Sequence, residues 1–308
     1  MDSLSGLHNR LLDDQHTHHV LVGTGANKQV LASQRKVADA IEMIFPGQIS
    51  LVQIPYSWSG TPTNQKNFDQ RSRGLVFMLI GASCAYHYGQ STLSVYENGI
   101  GAINLPYSKA EVGLDHAKSV HPLSLLYLGE FVSMLLGTQF RFLNPFVFWT
   151  KSQMCESLLE NNIADLLLHT SSCDRPRRLP QGITQCGACT SCLLRRQAIA
   201  ALGIVDPTPY ENDGYIDEKE SVHLRAMMYQ VQTMHDLLNQ SEPWSAFSKE
   251  YYALDDIVDQ ISSSRGQNLD LMRKQIIQMY QRYISEWRLF ENFIKKKVVS
   301  NAGIYAYS

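Results

Sequence analysis

Four of the six cysteines, Cys173, Cys186, Cys189 and Cys192, fall within 20 consecutive positions, and this crowding constrains the chain more than any other feature. The run Cys186-Gly-Ala-Cys189-Thr-Ser-Cys192 places three thiols at a spacing of three. A tight knuckle can turn the first two onto one ion, with Gly187 relieving the backbone. Cys192 opens an expected helix over Leu193–Leu202, and the positive end of a helix lowers a thiol pKa. Cys173 is the obvious donor of a fourth sulfur. Four sulfurs with no open position imply structural Zn²⁺, with an apparent binding free energy of roughly 10–16 kcal/mol. Free buried thiols and an iron–sulfur cluster are the alternatives. A nucleic-acid zinc ribbon usually carries two C-x-x-C pairs, whereas here a compact triplet is joined by a distant single cysteine. In a reducing compartment such clustering points to metal rather than to disulfides. Cys84 and Cys155 stand alone in apolar helical contexts and read as small core residues.

Composition narrows the class. The 308 residues carry 27 Lys+Arg against 29 Asp+Glu, a formal net charge of −2. That balance argues against a protein that coats nucleic acid or lies on an anionic membrane, and no direct sequence-specific nucleic-acid binding is expected. The longest apolar run, Leu75–Ala85, is too short to span a bilayer and reads as a buried helix. Met1-Asp2-Ser3-Leu4 lacks the layout of a signal peptide, so a cytoplasmic location is expected.

Along the chain, strands at His18–Gly23, Ile49–Tyr56, Thr92–Tyr96 and Arg141–Leu143 alternate with helices at 1–14, Ser33–Ile44, Arg71–Tyr88 and Pro122–Leu136. The alternation argues for βαβ units and a parallel sheet with helices on both faces. Ligands in such a sheet sit beyond the carboxyl ends of the strands, which marks loops 24–29, 57–70 and 97–107. From about residue 215 the pattern is helical. Leu224, Met227, Val231, Met234 and Leu238 form one apolar stripe, and Leu269, Met272, Ile276, Met279, Tyr283, Trp287, Phe290 and Ile294 a longer one. The reading is an α/β domain over 1–210, containing a zinc segment at 171–195, followed by a helical region over 211–308.

The stretch Thr170-Ser-Ser-Cys173 … Cys186-Gly-Ala-Cys189-Thr-Ser-Cys192-Leu-Leu-Arg195-Arg-Gln-Ala198 closely resembles the zinc segment of 7-cyano-7-deazaguanine synthases, the PP-loop ATP pyrophosphatases of queuosine biosynthesis. Arg71–Gly89 resembles the family's arginine-bearing helix, and Asn144-Pro145 … Thr150-Lys151 its "TK" helix start. The resemblance covers roughly residues 1–205. It implies a Rossmann-like fold of the adenine nucleotide alpha hydrolase type, ATP and Mg²⁺ as reactants and activator, and a purely structural zinc. The family's ATP loop reads S-G-G-x-D-S, and Met1-Asp2-Ser3 is similar to its last three positions. The expectation is that the first strand and the Ser-Gly-Gly lie upstream of Met1; the alternative is that the chain begins here and its ATP site is broken.

The roles implied by the resemblance then follow. Asp2 and Ser3 hold phosphates or Mg²⁺, and Gly25 borders the adenosine. Arg71 and Arg73 neutralise phosphate charge, and Lys151 approaches the reacting phosphate. Glu97 and Asn98 face the guanine-like edge of the substrate, and Arg195 braces the zinc segment against the site. The implied reactants are ATP, ammonia and a 7-carboxy-7-deazaguanine, in an ATP-dependent carbon–nitrogen ligation. The run Glu97-Asn98-Gly99-Ile-Gly-Ala-Ile-Asn104-Leu-Pro106 departs from the biosynthetic pattern and is more similar to a divergent branch found in anti-phage gene clusters. That branch implies a partner protein, for which the C-terminal helices are candidates, and a homodimer is a further assembly considered. Two other classes stay open: a thiolating PP-loop enzyme using a cysteine persulfide, and a non-catalytic zinc scaffold.

Overall fold

The computed structural model describes residues 1–24, 28–56, 71–107, 119–174, 182–211 and 222–305. They form two compact units. The first contains Met1–Asn104, Asp115–Val147 and Ser157–Ser171; the second contains Leu105–Leu114, Phe148–Glu156 and Ser172–Ser308.

The first unit is mixed α/β. Helix α1 (Asp2–Asp13) buries Leu4, Leu7 and Leu11, the 3-4 spacing of one helical face. Strand β1 (His19–Thr24), helix α2 (Lys28–Ile44) and strand β2 (Ile49–Ile54) make a βαβ unit, the strands parallel with His19 opposite Ile49. Helix α2 starts five residues earlier than the sequence pattern predicts, because Lys28-Gln-Val-Leu is good helix-forming sequence although it adds little to the apolar stripe. Helix α3 (Arg71–His87), strand β3 (Thr92–Ser94), helix α4 (Gly99–Ile103), helix α5 (Pro122–Leu136) and strand β4 (Arg141–Leu143) follow, with β3 and β4 again parallel. Among the described residues the strands thus form two two-stranded parallel sheets rather than one continuous sheet.

Helix α5 starts at Pro122, whose missing N–H costs nothing there, and His121 caps it by accepting from the Leu123 N–H. Its Gly129 lets strand β4 approach: a Cβ there would sit 3.2 Å from the Phe140 carbonyl oxygen. Ala82, Ala85, Leu125, Val132, Phe140 and Phe142 form the core between these elements. Helix α3 is not the buried helix expected from its apolar run. Leu75 and Tyr86 are exposed, and Val76, Leu79 and Ile80 line an open groove of about 610 Å³. Cys84 lines that groove too, so it is not a core residue, whereas Cys155 is buried as expected.

Helix α6 spans Lys151–Glu160, and a 3-10 helix follows at Ala164–His169. The second unit is helical: α7 (Thr190–Ala201), α8 (Val222–Leu238), α9 (Pro243–Glu250), α10 (Ala253–Arg265) and α11 (Leu269–Tyr305). Both apolar stripes face inward. Every stripe residue of α8 is buried, and on α11 only the end members Leu269 and Ile294 are half-buried. Helix α11 packs on α7, α8, α9 and α10, and Phe247 stacks edge-on against Tyr280 at 5.0 Å. No helix among the described residues is long and apolar enough to cross a membrane.

Candidate metal centre and nucleotide-site residues

The knuckle closes as its spacing demands. Gly187 takes a left-handed φ of +85°, which lets the chain reverse between Cys186 and Cys189. Cys189 stands at the N-cap of α7 and Cys192 in its first turn. The four sulfurs of Cys173, Cys186, Cys189 and Cys192 all lie within 4.8 Å of one another, and the Cys186 and Cys192 Sγ atoms are 3.8 Å apart. A tetrahedron with Zn–S bonds of about 2.3 Å has edges of about 3.8 Å. The donor set and its spacing therefore fit a tetrahedral metal such as zinc, and leave no open position for chemistry.

A hydrogen bond from Cys192 holds Cys189 down to about 4, while that same bond and burial push Cys192 up. Burial also pushes Cys186 up, and the Cys189 N–H donates to its sulfur at 3.4 Å. Gln185 is fully buried beside them; its Oε1 accepts from the Ser172 N–H at 3.2 Å and lies 3.7 Å from Cys192 Sγ. Such outer contacts orient ligands and tune their basicity.

Arg195 is fully buried on α7, and its Nε and Nη2 both donate to Thr208 Oγ1, at 3.2 and 2.9 Å. Arg196 donates to the Gly187 carbonyl at 3.2 Å and lies 4.4 Å from the Tyr210 ring centroid. The two arginines clasp the metal segment between α7 and residues 206–210, with the Tyr210 hydroxyl donating to Asp206 at 2.6 Å.

In the first unit the structure gathers Asp2, Glu97 and Asn98. The Asn98 Nδ2 donates to Asp2 Oδ1 at 3.0 Å and to Glu97 Oε1 at 2.7 Å. Its Oδ1 accepts from the Gly101 N–H at 3.0 Å, so Asn98 is the N-cap of α4 rather than part of an open loop. Asn98 is fully buried, and its amide holds two carboxylates side by side. Asn144 fixes the same turn from outside, donating to the Glu97 carbonyl at 2.8 Å. Ser3 is exposed at the start of α1, and Arg73 is exposed on the first turn of α3, 5.7 Å from the Phe77 ring. Gly25 and the side chain of Arg71 lie outside the described residues.

In the second unit Lys151 begins α6 and is only 5% exposed. Thr150 caps that helix reciprocally with Gln153: the Thr150 N–H donates to Gln153 Oε1 at 2.9 Å, and the Gln153 N–H to Thr150 Oγ1 at 3.3 Å. Thr150-x-x-Gln153 is the sequence signal for such a box. Buried Glu286 of α11 accepts from Thr150, Ser152, Gln197 and Arg282. Sequence spacing carries no sign of this contact, because the partners lie up to 136 residues apart.

Residues 66–203 match the family model of QueC, described as queuosine biosynthesis protein. The QueC match takes in Glu97, Asn98, Lys151, Arg195 and all four cysteines, and leaves out Asp2, Ser3, Gly25 and residues 204–308. The resemblance to 7-cyano-7-deazaguanine synthases thus holds over the stretch that carries the metal segment. At the level of the QueC family, the match supports an ATP-using, carbon–nitrogen ligase type of enzyme. No curated protein sequence matches the chain significantly.

Proposed function

We propose that this chain is an ATP-dependent, adenylate-forming carbon–nitrogen ligase that activates the 7-carboxylate of a 7-deazaguanine. The observation that carries the reading is the QueC match over 66–203 coinciding with four cysteines drawn to one tetrahedral-sized point. In this reading the first unit is a Rossmann-like, adenine nucleotide alpha hydrolase-type body.

The substrate carboxylate oxygen attacks the α-phosphorus of ATP, and the α–β bridging oxygen leaves with pyrophosphate. Arg71, Arg73 and Lys151 offset the charge that builds on the leaving group; Asp2 and Ser3 are assigned to phosphate and Mg²⁺, and Gly25 to the adenosine. The second product is an acyl adenylate. Ammonia attacks its carbonyl carbon, AMP departs and an amide forms. A second activation by ATP removes the amide oxygen to give the nitrile. Glu97, oriented by Asn98, accepts from the guanine-like N–H edge. The four cysteines, when holding zinc, fix the segment that Arg195 and Arg196 clasp, and the metal takes no part in bond making.

A second reading is a defence protein of the same family whose acyl adenylate is attacked by an amine of a partner protein. Residues 204–308, lying beyond the QueC match, favour it. The deciding experiment is pyrophosphate release from ATP with 7-carboxy-7-deazaguanine, in the presence and absence of ammonia. Release that depends on the deazaguanine supports the ligase, and Lys151→Ala should abolish it while zinc content stays unchanged. Loss of zinc in that variant would mean that Lys151 is structural. No release with any nucleophile would leave the zinc-scaffold reading.

A further inference from the structure

Glu286 is 5% exposed and accepts from four side chains. The Thr150 Oγ1 donates to its Oε1 at 2.6 Å, and the Ser152 hydroxyl donates to the same oxygen. The Gln197 Nε2 donates to Oε2 at 3.1 Å, and the Arg282 Nε to Oε1 at 3.2 Å. Arg282 is itself paired with Glu156. A buried carboxylate with this much support is a poor device for stability, since apolar residues of similar volume often serve as well. Its distinctive effect is geometric. The Thr150 hydroxyl donates to Glu286 while accepting from the Gln153 N–H, so its rotation is fixed at both ends. Ser152 is tied to the same carboxylate, and Lys151 is the residue between the two.

We propose that Glu286 is a positioning residue that sets the Thr150-Lys151-Ser152 helix start, making α11 part of the working apparatus of the QueC-like segment rather than a free appendage. The proposal rests on the reading of Lys151 as the cation at the reacting phosphate. It assigns a task to α11, which lies wholly beyond the matched residues. Losing the charge of Glu286 frees the Thr150 hydroxyl to turn and lets the first turn of α6 fray. Lys151 then leaves its place without any change at the cysteines.

The test compares the whole wild-type chain with Glu286→Gln and Glu286→Asp by two measurements. Pyrophosphate release should fall on the order of 10- to 100-fold in kcat for the Gln variant, as expected for a misplaced catalytic group. The KM for 7-carboxy-7-deazaguanine and the zinc content should stay within about twofold of wild type, and the Asp variant should recover part of kcat. Amide hydrogen exchange supplies the second measurement. Exchange over Thr150–Met154 should quicken in the Gln variant, while exchange over Cys186–Cys192 stays unchanged. Wild-type exchange at Thr150–Met154 in that variant overturns the proposal. So does quickened exchange with an unaltered kcat. Should the wild-type chain release no pyrophosphate, the ligase reading fails on its own, and exchange still decides whether Glu286 holds this helix start. If the Gln variant does not fold, Thr150→Val and Ser152→Ala remove the donors one at a time and face the same criteria.

Discussion

His8 shows how one buried side chain sets a pH limit. It is fully buried in α1, with Nδ1 2.9 Å from the Ser157 hydroxyl and its ring edge-on to Phe45 at 5.7 Å. Burial holds its pKa below the ordinary 6.5. The unfolded chain therefore takes up a proton near the ordinary value while the folded chain does not. Stability is full above about pH 6.5 and falls as the pH drops from there through the folded pKa, by at most about 1.4 kcal/mol per pH unit. Denaturant titrations across that range should show this slope in wild type and a shallower one in His8→Gln; equal slopes would clear His8. The cysteines carry the other residue-scale consequence. A metal ligand must be deprotonated, and Cys189 already sits near 4. Whatever protons the cluster holds therefore leave when metal enters.

At the scale of elements, α11 dominates. Trp287 is fully buried, with ring contacts to Tyr283 at 6.2 Å and Phe290 at 5.5 Å. Trp287→Ala leaves a large cavity and should cost about 3–5 kcal/mol, read as a shift in the denaturation midpoint. A cost below about 1 kcal/mol would mean that the stripe collapses around the gap. Both C-terminal stripes were legible because a 3-4 repeat survives any tertiary context. The cysteine site was legible for a similar reason: three of its four donors lie within one knuckle. Helix α4 was not legible, since Gly99-Ile-Gly-Ala-Ile offers no amphipathic period and its one signal is the capping Asn98. The pairing of β3 with β4 was equally hidden, because three-residue strands carry almost no register information. Glu286 carries no signal of its own in the sequence, and only the packed chain reveals the hydroxyls aimed at it.

For the whole molecule, a tetrahedral metal should behave as a folding ligand. Whatever binds only the folded form stabilises it by mass action, about 2.7 kcal/mol when free metal exceeds Kd roughly 100-fold. A chelator should lower the melting temperature, added Zn²⁺ should restore it, and the loss should deepen with acid as thiolates take protons. A melt unmoved by chelation and by added zinc would return the cysteines to plain buried thiols. Helix α11 has a consequence of another kind. Its 37 residues run about 55 Å in a single uninterrupted piece. Inserting or deleting one residue in it turns everything downstream by about 100°. Between Tyr280 and Phe290 such a change would swing the carboxylate and the aromatic rings out of their seats together. Along this helix, therefore, the chain is held to a fixed count of residues.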